Sequence, residues 1–169
     1  MDHGWLLKER QLEAMAKRGM WLCPTVGVLT HPAGTLEHFP EGPKREEARR
    51  RVDAVCKAAE AALRIGVPLL AGTDAMHGEL AYELATLQDL GGTPETLLAA
   101  ATSNAAQVLG LAGEIGAVRE GAMADLVVVR GNALADVSCL ANVLMVMRAG
   151  KIVKSEFSSS LLGFRNHPI

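Results

Sequence analysis

An apolar segment that ends in a carboxylate constrains the fold of this chain more than any other sequence feature. Residues 67–73 have the sequence Val-Pro-Leu-Leu-Ala-Gly-Thr, and Asp74 follows them directly. A short apolar run between two helical stretches is typical of a strand buried in a parallel sheet. In parallel α/β proteins the chemistry is found at the carboxyl ends of the strands. Asp74 is therefore the first candidate for metal binding or proton transfer.

Helix-type and strand-type segments alternate along the first two thirds of the chain. Apolar residues at helical spacing predict helices over residues 7–17, 44–65, 79–90 and 93–109. Shorter apolar runs predict strands over residues 20–26 and 67–73, and residues 27–43, rich in Pro and Gly, are predicted to form a loop. This order implies an α/β fold with parallel strands and right-handed crossovers.

The pattern changes after Gly116. Short strand-like runs follow at residues 124–130, 143–148 and 151–154, and Ala149-Gly150 between the last two has the composition of a tight hairpin turn. A small β module is therefore predicted behind the α/β part. The remaining residues, 156–169, have little periodicity and are predicted to be a tail, partly disordered or wrapped on a partner.

Composition limits the class of partner. The 169 residues carry 17 Lys and Arg against 19 Asp and Glu, a net charge of −2, which argues against a nucleic acid or an anionic membrane held by bulk charge. The mean hydropathy of +0.17 is high for a small domain. We therefore expect another chain to cover part of the apolar surface.

Cysteine usage and the chain ends bear on the compartment. The three cysteines are far apart and form no Cys-x-x-Cys pair, so no disulfide framework is expected. A reducing cytoplasm is the expected location. No signal peptide is visible, and no apolar run is long enough to span a bilayer.

His3 is the expected companion of Asp74. Two βα units separate these residues, so His3 would end a strand at the same edge of the sheet. Imidazole and carboxylate together suit Zn²⁺ or a similar cation, although a catalytic zinc usually has three protein ligands plus water. For Asp74 a helix cap in the turn before the next helix is the alternative.

His77 lies just beyond Asp74 in the same loop. It could contact the substrate or stabilise developing charge, and an exposed loop histidine without a function is an equal alternative. His31 and His38 lie in the long predicted loop, but their spacing matches no metal pattern.

An ordered set of short motifs resembles the carboxyl-terminal part of the amidohydrolase superfamily, closest to its imidazolonepropionase-like and Xaa-Pro dipeptidase-like branch. The matching pieces are Asp2-His3-Gly4, Cys23-Pro24-Thr25, Gly66-Val67-Pro68, Gly72-Thr73-Asp74-Ala75, Glu83-Leu84, Ala100-Ala101-Thr102, Asn104-Ala105-Ala106, Leu109-Gly110, residues 116–121, Ala124-Asp125-Leu126-Val127 and Ala149-Gly150-Lys151. Each motif is weak alone, but together they cover nearly the whole chain.

The resemblance implies a site and an activity. His3 matches the metal-binding histidine that ends the sixth strand of a TIM-type (β/α) barrel. Asp74 matches the aspartate that ends the eighth strand, which binds metal and shuttles the proton of the attacking water. Such enzymes hydrolyse C–N bonds in amides, dipeptides, ureas or cyclic amides with one or two divalent metals, and zinc is the first expectation here.

The same resemblance assigns the architecture. Residues 1–112 would form a partial barrel that covers the last βα units, and residues 113–155 would be strands of the small β-sandwich that accompanies it. The family's His-x-His on the first strand, the bridging lysine of the fourth and the histidine of the fifth have no counterpart here. We therefore expect the isolated chain to lack a complete active site.

A partial barrel has two open edges, whereas a closed barrel has none. The sequence therefore predicts a homo-oligomer, or a complementary chain that supplies the missing strands. Two functions remain open at this point. One is a metal-dependent hydrolase of a small amide or peptide. The other is a truncated, non-enzymatic scaffold or binding module, with residues 27–43 as its binding surface.

Overall fold

The computed structural model describes residues 1–74 and 77–157. The helices in this part of the chain are α1 (Glu9–Lys17), α2 (Gly27–Thr30), α3 (Pro43–Ile65), α4 (Leu80–Asp89), α5 (Pro94–Ala101) and α6 (Ser103–Val108), with 3₁₀ turns at Thr35–His38 and Val137–Ala141. The strands are β1 (Leu126–Val129), β2 (Val143–Arg148) and β3 (Lys151–Ser155). Beyond Phe157, the predicted tail lies outside the described residues.

Three short segments before α5 lie parallel to one another, with residues 22–23 in the middle. Parallel bridges join Asp2 to Cys23 and Leu22 to Leu69. The backbone hydrogen bonds, donor first, are Cys23 to Met1, His3 to Cys23, Leu22 to Pro68 and Leu70 to Leu22, with lengths of 2.8–2.9 Å. The carboxyl ends of the three segments therefore face the same edge.

These parallel segments are shorter than the predicted strands. The predicted strand over residues 20–26 is interrupted because Thr25 has a positive φ of 51° and α2 begins at Gly27. In the segment over 67–73, Pro68 has no amide hydrogen to extend the hydrogen-bond ladder. The predicted loop over 27–43 in turn contains α2 and one 3₁₀ turn. The apolar composition correctly indicates which segments are buried, but fewer of their residues pair than the predicted strands would require.

The helices pack against these segments in two adjoining apolar clusters. The first joins α1, α3 and the parallel segments through Leu12, Met15, Leu22, Ala62, Val67, Leu69 and Ala100. The second joins α3, α4 and α5 through Val26, Val55, Ala59, Leu84, Leu87, Leu97 and Val137. Helix α3 contributes Val55, Ala59 and Ala62 from one face, so this long helix contacts both clusters. It ends at Gly66, whose φ of 82° is left-handed, as the sequence predicts for a capping glycine.

The last three strands form an antiparallel sheet with the order β1-β2-β3. Ala149 and Gly150 connect β2 to β3 with φ values of 47° and 78°, a geometry that matches the predicted tight turn. The 3₁₀ turn before β2 attaches this sheet to α4. Val137 is fully buried there, and its amide donates to Oε1 of Gln88 at 2.9 Å.

No helix in the described part of the chain is both long enough and apolar enough to cross a membrane.

Replacing Leu87 with Ala tests the second apolar cluster. The Leu87 side chain is fully buried, so its truncation should lower the free energy of unfolding by about 2–5 kcal/mol through lost burial and a residual cavity. Leu80→Ala on the same helix is the matched control. Leu80 is 39% exposed, and its loss should cost less than about 1 kcal/mol. Urea unfolding measures both, and equal losses would contradict the packing described here.

Candidate functional site

Three residues with left-handed backbone mark the shared edge of the parallel segments. His3, Thr25 and Asp74 have φ values of 66°, 51° and 60°, and each follows one of the three segments. The other non-glycine residue of positive φ in the described part of the chain is Ala149, in the hairpin turn. Such conformations are uncommon outside glycine, cost about 1–2 kcal/mol each, and cluster at functional sites. The backbone therefore singles out this edge without reference to side-chain chemistry.

The His3 imidazole is held from two sides. Its Nδ1 lies 2.8 Å from Oγ1 of Thr25, which is itself buried. The centroid of its ring lies 4.9 Å from that of the Trp5 ring in a tilted contact. The Trp5 indole N–H in turn donates to the Pro24 carbonyl at 2.9 Å. A hydrogen bond at Nδ1 leaves Nε2 as the nitrogen for a ligand, the arrangement usual for metal-binding histidines.

Asp74 and His77 are both exposed at the end of the third segment. Helix α4 begins only at Leu80, with Glu79 at its N-cap position. The alternative that Asp74 caps this helix is therefore wrong. Asp74 instead presents its carboxylate from a left-handed position at the strand end. Residues 75–76, between Asp74 and His77, lie outside the described residues.

Carboxylates of both outer segments affect the pKa of the Cys23 thiol in the middle segment. Its pKa is raised to about 11, first by burial, and further by the carboxylates of Asp2, Glu83 and Asp74. Asp2 and Asp74 come from the two outer segments, so both carboxylates act on a thiol of the middle one. The middle and third segments approach closely at Gly72, where a Cβ atom would lie 2.7 Å from Sγ of Cys23.

A buried carboxylate lies behind the strand end that carries Thr25. Glu83 on α4 is fully buried. Its Oε1 accepts from the Val26 amide at 3.1 Å, and its Oε2 accepts from the Gly27 amide at 2.5 Å. Burial raises the pKa of Glu83 to about 7, although the two amide hydrogen bonds lower it. This residue thus anchors the backbone between the second segment and α2.

The sequence alone assigns no role to Thr25 or Glu83. Both fell inside quoted motifs, but neither motif states what its residues contact. One signal for Glu83 is present in the sequence, because it lies on the apolar stripe of α4 with Leu84 and Leu87. A carboxylate on such a stripe requires buried hydrogen-bond donors.

The side chains at this edge are of the types that bind a divalent cation, but they are too few to form a complete metal site. An imidazole with Nδ1 already bonded and an exposed carboxylate are suitable zinc ligands. Among the described residues, no group of three or more His, Cys, Asp or Glu side chains could hold a metal ion. His3 and Asp74 could therefore supply part of a metal site but not a complete one.

Glu83→Gln should alter how stability depends on pH. The folded-state pKa of about 7 exceeds the ordinary value of 4.5, so between these values the folded chain binds more protons at Glu83 than the unfolded chain does. This residue therefore makes the free energy of unfolding fall as pH rises from about 4.5 to about 7, after which its contribution is constant. Urea unfolding at several pH values should show that slope in the wild type, relative to Glu83→Gln.

The control for this measurement is Glu95→Gln, because Glu95 is exposed on α5. Its stability should follow the wild-type pH profile. Parallel profiles for the wild type and Glu83→Gln would contradict the burial of an ionisable Glu83.

The family model described as "Amidohydrolase family" matches residues 2–153. No curated protein matches the sequence significantly.

Similar solved structures include a Xaa-Pro dipeptidase, an ochratoxinase and a putative prolidase. A Xaa-Pro dipeptidase with methionine bound in its active site is 25% identical, with a TM-score of 0.80 over 91% of this chain and 39% of that one. The ochratoxinase of A. niger is 28% identical, with a TM-score of 0.75 over 91% of this chain and 36% of that one.

A putative prolidase from Bifidobacterium longum is 26% identical, with a TM-score of 0.74 over 95% of this chain and 44% of that one. The chain thus spans about two fifths of the length of these structures. Because the family model covers most of the sequence, the protein belongs to the amidohydrolase family.

Proposed function

We propose that this chain is the carboxyl-terminal part of a metal-dependent amidohydrolase that hydrolyses a C–N bond of an amide, dipeptide or cyclic amide. The observation that carries the proposal is the left-handed backbone of His3 and Asp74 at the same edge of parallel segments. The family match and the likeness to a Xaa-Pro dipeptidase support the reaction class.

His3 and Asp74 have distinct roles in this proposal. His3 would hold the metal through Nε2, because Nδ1 is already engaged by Thr25. A bound zinc ion would polarise the scissile carbonyl and lower the pKa of an attacking water. Asp74 would also hold the metal, and its exposed carboxylate would accept the proton of that water. His77, exposed three residues further on, contacts the substrate.

The partial barrel belongs to this proposal too. The parallel segments that pair through Asp2, residues 22–23 and Leu69 are the last three strands of a TIM-type (β/α) barrel over residues 1–112. The antiparallel sheet then corresponds to strands of the accompanying β-sandwich within residues 113–155. The remaining metal ligands and barrel strands come from other polypeptide, in keeping with the two fifths of each neighbour that the chain spans.

Uncovered edges and exposed apolar side chains support a partner chain. Large apolar side chains that are more than half exposed include Leu6, Leu109, Val118, Val127, Leu134 and Val153. Several of them lie on or next to the small sheet, whose third strand is exposed along its whole length. A second copy of the chain, or a complementary chain with the missing strands, would cover this surface.

A second candidate function is a non-enzymatic oligomeric scaffold derived from a truncated amidohydrolase. The observation that favours it is the absence of a group of three metal-binding side chains among the described residues. This alternative predicts no stoichiometric metal and no hydrolysis, so metal binding separates the two functions.

Asp74→Asn tests the proposed metal site. Removal of one carboxylate ligand should weaken zinc binding by the full chain at least about tenfold, because the amide is a poorer ligand for the cation. Asp89→Asn is the matched control, since Asp89 is exposed at the end of α4. Calorimetric titration with zinc measures both variants. Equal affinities, or no zinc binding by the wild type, would refute the assignment and favour the scaffold.

Sedimentation equilibrium tests the partner. The full chain alone is expected to form an oligomer whose mass is a multiple of 17.9 kDa, because association removes exposed apolar surface from water. A stable monomer at micromolar concentrations would argue against a second copy as the occupant of this surface.

A further inference from the structure

We propose that Glu83 is a positioning residue that fixes the orientation of the His3 imidazole through the backbone of residues 25–27. This inference rests on the proposed role of His3 as a metal ligand. It assigns Glu83 a task at the site although α4, which carries it, contributes no metal ligand.

The first link is between the Glu83 carboxylate and two successive peptide groups. Each of its oxygens accepts one backbone amide, from Val26 and Gly27. These amides belong to the peptide groups that follow Thr25 and Val26. The two buried oxygens of the Glu83 carboxylate therefore hold both peptide planes in place. The approach is close, because a Cβ atom at Gly27 would lie 2.7 Å from Oε2 of Glu83.

The second link is between the Thr25 backbone and the His3 ring. Thr25 has a left-handed φ of 51°, a conformation that persists only where its surroundings enforce it. In this conformation its Oγ1 lies 2.8 Å from Nδ1 of His3. The peptide plane that Glu83 holds is the one directly after Thr25, so Glu83 helps to enforce the conformation that presents Oγ1.

The two links together form a continuous path from α4 to the imidazole. It runs from the Glu83 carboxylate through the amides of Val26 and Gly27 to Thr25, and from Oγ1 of Thr25 to Nδ1 of His3. The contact at Nδ1 fixes the ring orientation, and when Nδ1–H donates to Oγ1 it also selects the tautomer whose Nε2 is free to bind a ligand. A purely structural role for Glu83 would stabilise the fold without any effect on the imidazole.

The experiment is a nitrogen-detected NMR measurement of the histidine rings in the full, metal-free chain. Spectra of the wild type, Glu83→Gln and Thr25→Val are recorded at one pH above the pKa of Glu83. Gln has one acceptor oxygen and one NH₂ donor group where Glu has two acceptors, so one of the two amides loses its partner. Thr25→Val removes the hydroxyl and gives the His3 signals of an imidazole without that contact.

We expect Glu83→Gln to shift the Nδ1 and Nε2 signals of His3 in the same direction as Thr25→Val does. Glu79→Gln, four residues earlier in the chain, is the matched control and should leave the His3 signals at their wild-type positions. If Glu83→Gln does not fold, Glu83→Asp replaces it. Asp keeps the charge but is one methylene shorter, so it should shift the same signals.

Wild-type His3 signals in a folded Glu83 variant would overturn the inference, whatever the loss of thermal stability. The same holds if Thr25→Val leaves the His3 signals unchanged. Because the samples contain no metal, failure of zinc binding would refute the proposed function without affecting this result. Conversely, zinc binding together with unchanged His3 signals in Glu83→Gln would remove only the positioning role.

Discussion

The backbone hydrogen bonds of residues 22–23 to segments on both sides are the constraint on which the candidate site depends. Leu22 pairs with Leu69 on one side, and Cys23 pairs with Asp2 on the other. Both contacts are parallel, so three segments that are distant in sequence end at one edge. His3 and Asp74 are 71 positions apart in the chain, and only this middle segment gives them a common edge. The close approach of Gly72 to Cys23 tightens the same contact.

The strain at this edge is balanced by burial directly beneath it. Leu22 and Leu69 are almost fully buried in the first apolar cluster, and the burial of each large aliphatic side chain contributes about 1.5–3 kcal/mol. The two side chains together therefore contribute about as much as the three left-handed residues cost, at about 1–2 kcal/mol each. Glu83 adds a polar anchor where the second segment turns into α2. A rigid, buried cluster below a strained edge can hold functional side chains in one geometry.

The sequence predicted the helices and turns better than the strands and the supporting contacts. Helical periodicity and capping residues are local signals, so α3 with its capping Gly66 matched its prediction closely. Strand pairing is not local: the apolar run over residues 67–73 indicated burial, yet its parallel bridge is at Leu69 alone. The contacts of His3 with Thr25 and of Val26 with Glu83 join residues 22 and 57 positions apart, and no spacing rule predicts them. The role of His3, Asp74 and His77 at a metal stays a prediction that rests on family resemblance.

The central claim is that His3 and Asp74 face one cation from a common edge. Paramagnetic relaxation by Mn²⁺ tests it most directly, since Mn²⁺ accepts the same carboxylate and imidazole donors and broadens NMR signals only near its site. Titration of the full chain with Mn²⁺ should broaden the backbone signals of His3 and Asp74 at the same low concentration, before those of the exposed carboxylates on α3. Broadening of only one of the two residues, or none before general broadening, would contradict the account.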